Sequence, residues 1–132
     1  MEKQNRKMVE TEPHHRRPRS LGGSDSPKNV SYVTPPLHES WHTLFGNMNI
    51  YQICNYLNSI HYKPENLYVV CEFINGDRIL KMGGQNHSND KSKISFAWNI
   101  LFKGMNFTEA VSYMNSIWID PSYHLYVRTT NT

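Results

Sequence analysis

Two cysteines among 132 residues, Cys54 and Cys71, are too few for a disulfide framework, and free thiols in an intracellular protein are the expected state. No apolar run approaches the ~20 residues that a bilayer-spanning helix needs. The first residues are polar and charged, so neither a membrane segment nor a secretory leader is expected. A nuclear and/or cytoplasmic location follows, not secretion. The excess of positive charge is also small, +3 in all, and unevenly placed. Residues 1–36 carry seven Lys/Arg against four acids, whereas residues 37–132 carry seven of each. A domain that grips many phosphates by charge alone should be basic, because its affinity comes from Lys and Arg displacing counterions. The neutral part excludes that mode of binding outside the tail.

Catalytic signatures are missing as well. There is no nucleophile elbow, phosphate loop or pair of carboxylates, and Gly83-Gly84 by itself reads as a turn. His14, His15, His38, His42, His61, His87 and His124 show no pair at ligand spacing, and neither cysteine neighbours another. No metal, no cofactor and no enzymatic activity are expected. The sequence reads as a non-catalytic binding module.

What is present begins with a tail. Residues 1–36 contain Pro13, Pro18, Pro27, Pro35, Pro36 and a Gly22-Gly23 pair, with almost no apolar periodicity. Such a segment cannot bury enough surface to offset its ordering entropy, so disorder is predicted to about Asn29, with Ser31–Val33 extended against the domain. Arg16, Arg17 and Arg19 form a basic patch open to a localisation or RNA-contacting role, or to none beyond solubility. Ser20 behind the arginines and Ser26 before Pro27 suit phosphorylation.

The strongest feature is a repeat. Trp41, Leu44-Phe45 and Met48-Asn49 recur 57 residues later as Trp98, Leu101-Phe102 and Met105-Asn106, and Asn58-Ser59-Ile60 recurs as Asn115-Ser116-Ile117. After a one-residue slip, Leu67-Tyr68-Val69 meets Leu125-Tyr126-Val127. Each copy carries the same helix start. Asn49 with Gln52, and Asn106 with Glu109, are capping-box pairs in which each side chain reaches the other residue's amide. Helices are predicted over Ile50–Ile60 and Phe107–Ile117, with apolar residues at helical spacing. Strands are predicted at Leu67–Phe73, at Ile94–Phe102 and at Tyr123–Thr129. A hairpin at Asn75-Gly76 returns through Asp77–Met82. With a strand at Trp41 the order is two βαβ halves, an α+β ferredoxin-like split βαβ sandwich over residues 37–132 with both helices on one face of an antiparallel sheet and an extra hairpin arm.

In this order Ile94–Leu101 resembles the third-strand octamer box of an RNA-recognition motif. Phe96 and Trp98 match its paired aromatics and Ala97 the small residue between them. Leu44–Met48 looks like the first-strand box, one residue short. The box begins with Ile94 where the family has a basic residue, and its glycine is missing. The resemblance to this divergent form spans about Trp41 to Arg128. It implies single-stranded RNA stacked on Trp41, Phe45, Phe96 and Trp98, with Lys91, Lys93 and Arg128 at the phosphates. The same aromatic face is the more apolar one, and a sheet covered on one side turns that face inward. The alternative is therefore a protein-interaction or dimerisation domain of this fold without RNA.

Overall fold

The structure is a computed structural model that describes residues 9–84 and 87–130. Strands β1 (Glu12–His15) and β2 (Val30–Val33) form a hairpin, and helices α1 (Pro35–Phe45) and α2 (Ile50–Ser59) lead into β3 (Leu67–Phe73). Helices α3 (Lys91–Leu101) and α4 (Phe107–Ile117) then lead into β4 (Tyr123–Thr129). The mixed α+β class holds. The repeat holds too, but each copy is helix, helix, strand.

Both capping boxes form as their sequences specify. Asn49 and Gln52 exchange bonds of 2.8 Å, as do Asn106 and Glu109. The segments at Trp41 and Ile94 are helices rather than the expected strands. Pro35 sits at the start of α1, where its fixed φ suits the first turn and its missing N–H is no loss. Asp90 caps α3 by accepting from the Ser92 and Lys93 amides. Trp41, Leu44 and Phe45, like Ala97, Trp98 and Leu101, then fall on one buried helix face. The ferredoxin-like sheet expected from strands at those places does not follow. Among the described residues there are two separate two-stranded antiparallel sheets.

The two copies meet where α1 packs on α3 and where β3 pairs with β4. In the ribbon Val70 lies opposite Tyr126, and Leu67–Phe73 runs against Thr129–Tyr123. Asn58 clasps Val69 at both its N–H and its carbonyl, at 2.7 and 2.9 Å, and Asn115 clasps Leu125 in the same way, at 2.9 Å for each bond. These equal clasps put Val69 in register with Leu125, so the slip in the repeat runs opposite to the one read from sequence. The Asp77–Met82 arm does not pair as a return strand. Instead the Ile79 amide donates to the Tyr123 hydroxyl at 2.9 Å, and Asn49 donates to the Lys81 carbonyl at 2.9 Å. Gly76 makes the turn at φ +89°, and Arg17 donates to the Asp77 carbonyl.

Aromatic rings repeat the symmetry in the core. Trp41 packs 4.3 Å from Phe45 and Trp98 4.5 Å from Phe102. Across the copies, Trp41 stacks on Trp118 and Trp98 on Tyr62, each pair with centroids 4.9 Å apart. Each first helix therefore docks through its tryptophan on a ring that follows the second helix of the other copy.

The tail is not disordered over its described part. Residues 1–8, part of that expectation, lie outside the described residues, as do Gln85 and Asn86 of the expected polar loop. The order of residues 12–33 comes from polar bonds rather than a large apolar face. A helix leaves its last carbonyls unpaired, and at α4 the tail takes them. Arg16 donates to the carbonyls of Asn115 and Ile119, Ser31 to that of Ile117 and His14 to that of Trp118. Arg17 pairs with Asp120 at 2.6 Å. Asn29 closes the loop on the Arg17 backbone, and a Cβ on Gly23 would come within 1.8 Å of the Arg17 carbonyl oxygen.

Candidate metal centre

Docking the hairpin on α4 brings β1 across the start of α1, and with it His14 onto His38 and His42. The last two are four residues apart. On the expected strand they would stand about 13 Å apart, but on a helix residues at this spacing share a face. One ring nitrogen from each of the three lies within 4.8 Å of the other two. His38 Nε2 and His42 Nε2 are 3.2 Å apart, close to the ~3.3 Å edge of a tetrahedron with metal–nitrogen bonds of about 2.0–2.1 Å.

Two of the rings are oriented by their other nitrogen. His38 Nδ1 donates to Glu12 Oε1 at 2.7 Å, which leaves Nε2 as the basic atom. His14 Nε2 donates to the Trp118 carbonyl at 2.8 Å, and a carbonyl only accepts, so the basic atom of His14 is Nδ1. Carboxylate and carbonyl partners of this kind hold metal-binding imidazoles in one tautomer. Burial lowers the His14 pKa to about 4, with His38, His42 and Arg16 adding to it and the Trp118 bond opposing. Burial and the neighbouring His38 also lower the pKa of His42, against the Gly46 backbone. Neutral rings at pH 7 are what a metal ion requires.

The cluster forms one wall of a cavity of about 290 Å³. Arg16 and Arg19 line it beside the histidines, and Trp41, Met48 and Ile53 supply its apolar part. Arg19 is shared with Asp25, at 2.9 Å, and with His15.

The residues expected to bind RNA are not gathered on one sheet face. Trp41, Phe45 and Trp98 are core, at 3%, 0% and 7% exposure, and a base cannot stack on them. Phe96, 68% exposed, lies on α3 with Lys91 and Lys93 at its start, and Arg128 lies on β4. Of the basic patch, Arg16 and Arg17 are committed to α4 and Asp120. Ser20 and Ser26 are exposed. The histidine cluster was missed in the sequence because its pair needs a helix and its third member comes from the tail. The spacing of His38 and His42, directly after Pro35-Pro36, was the available signal.

No protein family, curated protein or solved structure was found to match the chain. Among the described residues no helix is long and apolar enough to cross a membrane.

Proposed function

We propose that this protein is a binding module for a transition-metal ion held by His14, His38 and His42. The observation that carries the reading is the convergence of three imidazoles, two with their remote nitrogen fixed by Glu12 and the Trp118 carbonyl. Three nitrogen ligands favour zinc, cobalt, nickel or copper over magnesium or calcium, which take oxygen. Closing the widest ligand separation to tetrahedral distances takes ~1–2 Å of ring movement. Because one ligand belongs to the hairpin and two to α1, a bound ion fastens the hairpin to the helices.

Titration of the metal-stripped protein with zinc by calorimetry tests this. One ion per chain is expected, with affinity reduced at least about tenfold in His42→Ala and in His38→Ala. Unchanged zinc affinity in both variants would leave the histidines as a hydrogen-bonded cluster only.

A second reading keeps single-stranded RNA as the partner and moves it to the outer face of the β3–β4 ribbon. What supports it is that Tyr68 lies opposite Arg128, Val70 opposite Tyr126, and both tyrosines are exposed. The Arg128 guanidinium stands 5.6 Å over the Tyr126 ring and His124 packs 4.5 Å from it. Stacking is worth ~1–3 kcal/mol per base. Labelled single-stranded RNA should therefore bind the Tyr68→Ala/Tyr126→Ala protein at least about tenfold more weakly than wild type. Equal binding by both would remove this reading.

A further inference from the structure

We infer that the ion held by the three histidines keeps one coordination position for a ligand from solution, and that this ligand is a small oxygen-donor anion. The inference rests on the metal-binding reading and names what the same site takes. His14, His38 and His42 are a set of three, and among the described residues no fourth His, Cys, Asp or Glu joins them. Zinc sites closed by four protein ligands are structural, whereas three leave the fourth position of the tetrahedron to water or an exogenous group. All three histidines border the same cavity, so that position has a way out to solvent.

Charge selects the ligand. Three neutral imidazoles leave a divalent ion its full charge. Glu12 is bonded to the remote nitrogen of His38, on the far side of that ring from the cluster. Arg16 adds a guanidinium whose Nε and Nη2 are taken by neutral carbonyls, with Asp120 acting on it through space rather than by a direct ion pair. Arg17, not Arg16, makes the ion pair with Asp120. Arg19 on the same wall is balanced by Asp25. A cavity of about 290 Å³ is at the lower end of the ~300–1,000 Å³ range of ligand pockets. It suits a carboxylate, hydrogencarbonate or phosphate.

The test uses the full chain loaded with cobalt(II), whose visible absorption reports coordination. Acetate, hydrogencarbonate and phosphate are titrated separately, with chloride at equal ionic strength as the reference. A saturable change in the cobalt bands with at least one of the three oxyanions is expected, and its order identifies the preferred one. Arg16→Gln should weaken that anion about tenfold relative to the cobalt affinity of the same variant, the scale of one charge-assisted bond, the ratio being read because Arg16 also ties the hairpin to α4. Arg19→Gln, at an exposed and already paired residue, guards against loss of folding at Arg16 and should weaken the anion by about threefold or less. Cobalt bands that none of the oxyanions alters would overturn the inference and leave the metal site standing. Failure to bind cobalt at all would overturn both. An anion response identical in wild type and both arginine variants would remove the basic wall from the recognition.

Discussion

The two copies of the helix–helix–strand unit present the same groove and use it differently. In the first copy Trp41, His42, Gly46, Asn47 and Met48 border the histidine cavity. The positions 57 residues on, Trp98, Asn99, Lys103, Gly104 and Met105, border a second groove with Phe96 and Tyr62. The first is roofed by the tail hairpin and furnished with imidazoles. At the second, Ser95 and Asn99 stand where the first has His38 and His42. Everything the copies share, the capping boxes, the asparagine clasps and the ring pairs, builds scaffold. What differs between them, the hairpin and the two histidines, builds the site. Duplication here supplies the frame, and chemistry belongs to what was added on one side of it.

The sharpest way to break this comparison is at the stacked pairs. Trp118 is fully buried, stacks on Trp41 and lends its carbonyl to His14, whereas Tyr62 stacks on Trp98 at a partly exposed position. Trp118→Ala should cost ~3–5 kcal/mol in urea unfolding, and Tyr62→Ala roughly half as much, because less of its area leaves water. Equal losses would mean that the deeper burial of Trp118 adds nothing over the partial burial of Tyr62.

A second difference is titratable. Burial holds the His14 pKa at about 4, below its ordinary 6.5. Between those values the unfolded chain binds a proton that the folded chain does not. The stability of the metal-free protein should therefore fall as pH drops from about 6.5 to about 4 and level off below, by roughly 3 kcal/mol in all from this residue. The lowered His42 pKa acts in the same direction. Unfolding midpoints at closely spaced pH values give the slope, and His14→Gln, which keeps a donor for the Trp118 carbonyl, should flatten most of it. A profile that rises on acidification would mean that these rings gain protons on folding.

The asparagine clasps should behave alike. Asn58→Ala and Asn115→Ala each strip a buried strand N–H of its partner, at Val69 and Leu125, and take one donor from the carbonyl of the same residue, which at Val69 keeps the Cys54 thiol. Each should cost ~1–3 kcal/mol, with the two values within about 1 kcal/mol of each other. A large inequality would show that only one half of the ribbon depends on its helix.

How much of this was legible follows from distance along the chain. The capping boxes close within one turn, and α2 and α4 were readable from Asn49, Gln52, Asn106 and Glu109 alone. Strands β3 and β4 were readable from their Tyr, Val and Leu content. The first helix of each copy was not, because Trp41, Thr43 and Phe45 satisfy a period of two while Trp41, Leu44 and Phe45 satisfy a helix. Aromatic content favours the strand, and only Pro35 and Asp90 argue for the helix. That one ambiguity turned two helices into strands, moved buried rings to an open sheet and hid the pairing of His38 with His42. The hairpin was unreadable for a different reason. Its order comes from single side chains reaching the carbonyls of α4, about 100 residues away, and composition records none of those bonds.

The smallest expected effect probes which added part matters. Ser95→His/Asn99→His places two imidazoles four residues apart on α3, the spacing of His38 and His42 on α1. Neither position is buried, so stability should change by less than about 0.5 kcal/mol. The grafted pair lacks a third ligand from a hairpin and a carboxylate in the place of Glu12. Zinc calorimetry on the variant should therefore show the original site unchanged and a second one weaker by at least about tenfold, the scale that outer partners alone command. A graft as tight as the original would reduce the native site to a helical histidine pair and make the hairpin incidental to it. A weak graft would place the affinity in the joining of the hairpin strand β1 to α1.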